Sequence, residues 1–322
     1  MTNFRENFKD KSTEILNRYG YRLGQLIGQG SYCKVRTALK MTKGNYTKKL
    51  ACKSIDKSQA SLDYVQKFLP REIGILKKID HPNIVTVHEI FVIGERVFIF
   101  MDICEKGDLL EYIRTYGPLP EGRAKQYFRQ LVSALQYLHG IDLSHRDLKC
   151  ENILLSSKNT IKITDFGFAR RCRDDHGNRI LSNTFCGSAA YAAPEIIQGM
   201  SYNPKMYDMW SIGCILYIML VANMPFDDSN VRKMLKMQLN HKITYPSRCD
   251  NKVSSAARRL ICRHLLEPDV TKRATIRQVA RNPWLRPETA RERKHEVTEP
   301  PPYRGGRHGG GDGRSRMSLV HL

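Results

Sequence analysis

Asp147, Lys149 and Asn152 bring a carboxylate, an ammonium and an amide together in the run His145-Arg146-Asp147-Leu148-Lys149-Cys150-Glu151-Asn152. The carboxylate can orient a hydroxyl and take its proton, the ammonium can neutralise a phosphoryl group in flight, and the amide oxygen can hold a hard cation such as Mg²⁺. Asp165-Phe166-Gly167 follows the strand-like Ile161-Lys162-Ile163-Thr164 and adds a second metal-binding carboxylate. Upstream stands Gly28-Gln29-Gly30-Ser31-Tyr32-Cys33-Lys34-Val35, after another strand-like run. Its glycines let a backbone turn sharply and approach phosphate oxygens, which then meet N–H donors. A G-x-G-x-x-G pattern would carry a third glycine where this chain has Cys33. Leu50-Ala51-Cys52-Lys53 ends a short strand in a lysine, and Glu72 follows 19 residues later in Pro70-Arg71-Glu72-Ile73. A helix carboxylate there can hold the ammonium against the phosphates of a nucleotide. Ala193-Pro194-Glu195 completes the series, its glutamate 30 residues after Asp165.

Such side chains need elements to hold them. Tyr21–Ile27, Val35–Leu39, Leu50–Ile55, Thr86–Val92 and Val97–Met101 read as strands, with one helical run around Val65–Ile79. From Leu109 the pattern turns helical. Its clearest stretch is Pro120–His139, where Ala124, Tyr127, Phe128, Leu131, Val132, Leu135 and Leu138 form one apolar stripe. Pro120 suits the first turn and Gly140 the C-terminal cap. The shift near residues 102–108 predicts a small β-rich lobe joined to a larger helical one, with a ligand cleft between them. Residues 1–18 are polar and expected to be loosely held. After Trp284 come Pro300–Pro302, Gly305-Gly306 and Gly309–Gly311, a flexible tail unable to bury a core.

The 322 residues suffice for a sizeable core, and 41% hydrophobic with 26% charged content excludes a wholly disordered, collagenous or coiled-coil chain. The nine cysteines are scattered, odd in number and never spaced C-x-x-C, which argues against a disulfide framework or zinc knuckle and for a reducing cytosol. The expected location is therefore cytoplasmic, with nuclear access open. Met1–Lys11 is too polar for a signal peptide. The longest near-apolar run, Ile212–Ala222, is about half of the roughly 20 residues a membrane span needs and reads as a buried helix. The formal charge of +21 invites a nucleic-acid reading, but residues 286–322 carry only 8 − 5 = +3 of it and the rest is interspersed with acids. A solvated basic surface is the favoured reading, with neither nucleic acid nor membrane expected as partner.

From about Tyr21 to Leu285 the ordered motifs resemble a eukaryotic protein kinase. Lys149, two residues after Asp147, is similar to the serine/threonine kinases. Phe68-Leu69-Pro70-Arg71-Glu72, the run His145–Asn152 and Cys186-Gly187-Ser188-Ala189-Ala190-Tyr191-Ala192-Ala193-Pro194-Glu195 resemble the testis-specific serine kinase family, in the calmodulin-dependent-kinase-like group. That family also tends to lack the third loop glycine.

The resemblance implies an α+β, bilobal fold: residues 1–20 an N-terminal extension, 21–285 the kinase domain, 286–322 the tail. It implies ATP and Mg²⁺ as cofactors and protein substrates with Ser/Thr acceptors. Ile27, Gly28, Gln29, Gly30, Ser31, Tyr32, Cys33 and Lys34 would cover the phosphates, the backbone from Gly28 to Cys33 above all. Lys53, oriented by Glu72, would contact the α- and β-phosphates. Val35, Ala51 and Leu154 would sandwich adenine, Met101 would be the gatekeeper, and Asp102 to Cys104 the hinge. Asp147 would position the substrate hydroxyl and take its proton, Lys149 steady the γ-phosphate, and Asn152 and Asp165 hold Mg²⁺. Glu195 would pair with Arg273, and Asp208 would cap the His145-Arg146 backbone. In the activation loop, between Asp165 and Glu195, Thr184 would accept a regulatory phosphate that pairs with Arg146, from an upstream kinase. Asp108 and Glu151 would favour a basic residue about three positions before the target hydroxyl. The resemblance further implies a monomer with a role in male germ-cell differentiation. The alternative is a pseudokinase scaffold, against which stands the presence of Lys53, Glu72, Asp147, Asn152 and Asp165.

Overall fold

The computed structural model describes residues 3–30, 33–42, 45–156, 159–184 and 186–286. Helix α1 (Asn3–Arg18) leads into strands β1 (Tyr21–Gln29), β2 (Cys33–Thr42) and β3 (Asn45–Asp56). A helical stretch follows, with α2 (Leu69–Leu76) as its main part, then β4 (Val87–Ile93) and β5 (Arg96–Asp102). These five strands pair antiparallel in the order β1-β2-β3-β5-β4. The strand-forming runs read from the sequence are all present; four are longer by one to five residues at one end or both, and the run read as Thr86–Val92 is shifted by one residue to Val87–Ile93.

Register decides which face each residue serves. Val35 lies opposite Lys53, and Lys34 opposite Ser54. Cross-strand partners share a face and sequence neighbours do not. One face therefore carries Ala51, Ile55, Val97, Ile99 and Met101, packed against Leu69 of α2. The other carries Ala38, Leu50, Cys52, Phe98 and Phe100.

The second face overturns the expectation of a loosely held N-terminus. Residues 3–18 form a helix. Leu16 is completely buried in the cluster with Tyr21, Leu50, Phe98 and Phe100. The polar composition of this segment concealed the apolar anchor Leu16, whose seat is built by strands far along the chain.

The helical run before Glu72 also differs from a simple α-helix. Residues Tyr64–Phe68 make a wider turn, in which the Leu69 amide donates to the Tyr64 carbonyl, five residues back. The regular part ends at Leu76, short of the expected Ile79.

The larger lobe holds α3 (Leu109–Tyr116), α4 (Glu121–Gly140), the short strands β6 (Leu143–Ser144), β7 (Ile153–Leu155), β8 (Ile161–Ile163) and β9 (Arg170–Arg171), then α5 (Pro194–Ile197) and α6 (Pro204–Val221). Three further helices, α7 (Val231–Leu239), α8 (Ser255–Arg259) and α9 (Ile276–Ala280), close it. The stripe on α4 is buried as its spacing predicts. Its ends are shifted: Pro120 is the N-cap residue, Gly140 is the last helical residue, and Ile141 is the cap. Helix α6 is buried over almost its whole length. Among the described residues no helix is long and apolar enough to cross a membrane.

Candidate active site

The cleft between the lobes is built from both sides. On the small lobe, the sheet's α2-facing side carries Val35, Ala51, Lys53 and Met101. Leu154, on β7 of the large lobe, packs into the same apolar cluster as Ala51, Met101 and Val35. The result is a slot of aliphatic surface suited to a flat heteroaromatic ring. Lys53 lies beside it, its Nζ 2.9 Å from Glu72 Oε1 and 3.4 Å from Asp165 Oδ1. Burial works to lower the Lys53 pKa, but Asp165 and Glu72 outweigh it and hold the ammonium well above its ordinary value. The Lys53 charge in turn keeps the Asp165 carboxyl below the usual carboxylate range, against the opposing effect of burial.

Asp165 takes a positive φ of 64°. The next residue, Phe166, is buried with its ring edge-on to His145, centroids 4.9 Å apart. This turn leaves Asp165 facing Lys53 while Phe166 anchors the chain in the core.

The large-lobe floor is a hydrogen-bonded platform. Asn152 Nδ2 donates to the Asp147 carbonyl at 2.8 Å and to Asp147 Oδ2 at 3.1 Å. Lys149 Nζ is 3.2 Å from Asp147 Oδ2 and donates to Ser188 Oγ at 3.0 Å. The Ser188 amide donates to Asp147 Oδ1 at 3.2 Å. Below, the buried Asp208 accepts from the His145 amide at 3.1 Å and the Arg146 amide at 2.9 Å, and it pairs with His139 at 2.8 Å. Burial pushes the Asp208 carboxyl up, but His139 and the Arg146 amide more than offset it and keep its pKa low.

Gly187 was missed by the sequence reading as a site residue. Its φ is +88°, and a Cβ there would sit 2.7 Å from the Arg146 carbonyl and from Tyr207 Oη, and 3.3 Å from Asp147 Oδ1. Only glycine lets this segment come so close to the carboxylate.

Some expected site residues are placed differently. Lys34 belongs to the face opposite Lys53, so its side chain is turned away from the cleft. With Gln29, Gly30 and Cys33 it lines a separate cavity that also touches Ser12, Arg36, Ser54 and Phe98. Ile27 is exposed on β1. The Asp102 side chain is spent on His88 at 2.8 Å and Lys162 at 3.0 Å, and its amide on the Thr86 carbonyl, so at most its carbonyl faces a ligand. Cys104 is half-buried in the hinge. Ser31 and Tyr32 lie outside the described residues, as does the tail beyond residue 286.

The activation loop holds a further surprise. Arg146 does not reach Thr184. Its Nη1 donates to the Oγ of Ser182 at 3.0 Å and its Nε to the Phe168 carbonyl at 2.8 Å. Ser182 is fully buried and paired through its backbone with Tyr202 at 2.9 and 3.0 Å. The Thr184 amide also donates to Ser182 Oγ, at 3.4 Å, and the Thr184 side chain is exposed.

The donor set fits a hard divalent cation. Asn152 uses its amide nitrogen on Asp147, leaving the carbonyl oxygen for a metal, and Asp165 supplies an ionised carboxylate. Among the described residues no group of three or more His, Cys, Asp or Glu could hold a metal alone. That suits Mg²⁺, which takes one or two protein oxygens and completes its shell with phosphates and water.

Comparison with known proteins bears on the same residues. A family model for the protein kinase domain matches residues 21–285. Testis-specific serine/threonine-protein kinase 1 of Mus musculus is 47% identical over 279 residues, covering 85% of this chain and 74% of that one. Testis-specific serine/threonine-protein kinase 3 of Homo sapiens is 44% identical over 273 residues, 84% of this chain and 98% of that one. Testis-specific serine/threonine-protein kinase 4 of Homo sapiens is 38% identical over 298 residues, 88% of each.

Proposed function

The chain belongs to the protein kinase family and is a serine/threonine protein kinase similar to the testis-specific kinases; on that premise we propose that it binds ATP with Mg²⁺ and transfers the γ-phosphoryl group to Ser/Thr hydroxyls of proteins. The observation that carries this reading is the single crevice in which Lys53, Glu72 and Asp165 meet from one side and Asp147, Lys149 and Asn152 from the other.

The roles follow from position. Val35, Ala51 and Leu154 enclose adenine below the Met101 gatekeeper, and the Asp102 carbonyl with the Cys104 amide reads its edge. The backbone of Gly28–Gly30, at the end of β1, covers the phosphates, and Lys53 neutralises their α- and β-oxygens. Mg²⁺ at Asp165 and Asn152 would supply charge neutralisation across the phosphate oxygens. Asp147 orients the substrate hydroxyl. As the new bond from that oxygen to phosphorus forms, the bond to the ADP oxygen breaks, ADP leaves with the electron pair, and Asp147 takes the proton. Lys149 neutralises the moving phosphoryl group, steadied by Ser188. The direct test is transfer from radiolabelled ATP to a generic Ser/Thr peptide, lost on Asp147→Asn.

Regulation and specificity extend the proposal. Thr184 is an exposed hydroxyl two residues from Ser182, on which the Arg146 and Arg170 guanidiniums converge. A phosphate there, added by an upstream kinase, would compete with Ser182 for these cations. Thr184→Ala is expected to lower activity about tenfold, since charge-assisted hydrogen bonds are worth roughly 1.5–3 kcal/mol. Full activity in that variant would refute the idea. Asp108, bridged through its backbone to Leu154, and the exposed Glu151 lie beside the crevice. They favour Arg or Lys about three residues before the acceptor. A peptide array should show that preference, and a flat response at that position would rule it out. The names of its relatives support a place in male germ cells, which immunostaining of testis sections would test.

A further inference from the structure

The cavity that Lys34 lines has a volume of about 500 Å³, within the range of roughly 300–1,000 Å³ that small-molecule sites occupy. Strand register explains its lining. Lys34 on β2 lies opposite Ser54 on β3, and Ser54 opposite Phe98 on β5. Arg36 stands two residues from Lys34, and the cross-strand pair Asp56 and Arg96 stands two residues from Ser54 and Phe98. Alternate residues of a strand share a face, so these six side chains lie on one side of the sheet and Lys53 on the other. All six line the cavity. Ser12 of α1, itself buried, closes it from another element, and the half-buried Leu23 of β1 adds apolar wall beside Phe98.

The charges are unbalanced. Among the described lining residues Lys34, Arg36 and Arg96 are cationic and Asp56 is anionic, 3 − 1 = +2. The one carboxylate is largely engaged: Asp56 Oδ1 accepts from the Ser58 amide at 3.1 Å and from Ser58 Oγ at 2.6 Å. Its Oδ2 stands 3.9 Å from Arg96 Nε, beyond hydrogen-bond reach. Arg36 gives Nη1 to the Gly24 carbonyl at 3.1 Å, one of the five donors a guanidinium carries.

We propose that this cavity is a binding site for a small phosphomonoester with an apolar body, separate from the nucleotide cleft. A phosphomonoester carries a charge of about −1.5 to −2 at neutral pH, which matches the surplus of the lining. Two guanidinium forks and an ammonium suit its three terminal oxygens. Phe98 and Leu23 offer a wall to the organic part. Helix α1 and strands β1, β2, β3 and β5 all contribute to the enclosure, which favours a small molecule over a polypeptide strand. The proposal stands apart from the kinase reading, since none of its six sheet residues shares a face with Lys53.

The test is titration calorimetry of the full chain with phenyl phosphate, without nucleotide and with a saturating non-hydrolysable ATP analogue and Mg²⁺. One equivalent should bind in both conditions. Arg36→Gln and Arg96→Gln should each weaken binding about tenfold, the scale of a lost charge-assisted hydrogen bond. Inorganic phosphate should bind at least about tenfold more weakly than phenyl phosphate, for want of the ring. No binding, displacement by the nucleotide analogue, or parent affinity in both arginine variants would overturn the proposal. Equal affinity for inorganic phosphate would overturn the apolar body, and a phosphotyrosine peptide binding more tightly than phenyl phosphate would overturn the small-molecule assignment. Should Arg36→Gln not fold, Lys34→Gln, at an exposed side chain, replaces it and the same weakening is required. Failure of the kinase reading would appear separately, as no heat from the nucleotide analogue and no Asp147-dependent transfer.

Discussion

Asp147→Asn is expected to cut phosphoryl transfer to a Ser/Thr peptide by at least about a hundredfold, the scale on which general-base catalysis contributes, with ATP affinity changed little. The amide has the shape of the carboxylate but cannot take a proton. One oxygen can still accept from the Ser188 amide, as Asp147 Oδ1 does at 3.2 Å. The other position becomes an NH₂ that faces Asn152 Nδ2 and the Lys149 ammonium, donors against donors, where Asp147 Oδ2 accepted at 3.1 and 3.2 Å. Lys149 then loses its anionic neighbour and keeps only Ser188 Oγ. On the nucleotide side of the cleft Lys53 is held by Glu72 and Asp165, at 2.9 and 3.4 Å, and these pairs do not depend on the altered group. Initial rates with radiolabelled ATP, beside a nucleotide-binding titration, separate the two effects. A variant that retains the parent rate would remove Asp147 from the chemistry, and with it the assignment of Lys149 and Asn152.

The residues of this crevice were legible because each motif names its own element. A lysine closing a β-rich run, a carboxylate in a helix and an Asp-Phe-Gly after a strand together resemble a protein kinase, and that resemblance implies that they meet, while the apolar stripe of α4 fixed the face of the large lobe that must be buried. What stayed hidden depends on pairings between distant segments. Lys34 and Lys53 are both strand lysines, and only the register that sets Val35 opposite Lys53 shows that they serve opposite faces. Helix α1 is polar by composition, and its anchor Leu16 acquires meaning only once Phe98 and Phe100 form a seat. The wide turn at Tyr64–Phe68 cannot be read from apolar spacing, because one inserted residue per turn leaves no distinct residue type behind. Ser182 illustrates the same limit: a serine in a loop reads as solvated, yet it fills the position beside Arg146 that was assigned to a modified Thr184.

The other large effect is on stability, and it concerns the ion pair that ties the end of the activation loop to the large lobe. Arg273 donates from Nη1 and Nη2 to the two oxygens of Glu195 at 2.7 and 2.9 Å. The same guanidinium gives Nε to the Glu267 carbonyl at 2.8 Å and Nη1 to the Met206 carbonyl at 3.0 Å, and it lies 5.0 Å from the Trp210 ring centroid. Its side chain is fully buried. Arg273→Ala would therefore leave a buried carboxylate uncompensated and take one donor each from the Glu267 and Met206 carbonyls, a change that costs about 3–5 kcal/mol. Against a typical total of about 5–15 kcal/mol, this is a large shift in the urea midpoint at unchanged slope. Arg273→Lys keeps the charge but cannot match a planar fork to two carboxylate oxygens while also serving the carbonyls, so it should fall between. The double variant Arg273→Met with Glu195→Gln removes both charges and should recover part of the loss, because the penalty lies in the orphaned carboxylate more than in the missing attraction. A cost below about 1 kcal/mol for Arg273→Ala would mean that water reaches Glu195 freely, and the loop end would then be held to α6 by packing and by hydrogen bonds such as those from Tyr207 Oη to the Cys186 carbonyl and from Ser211 Oγ to the Tyr191 carbonyl.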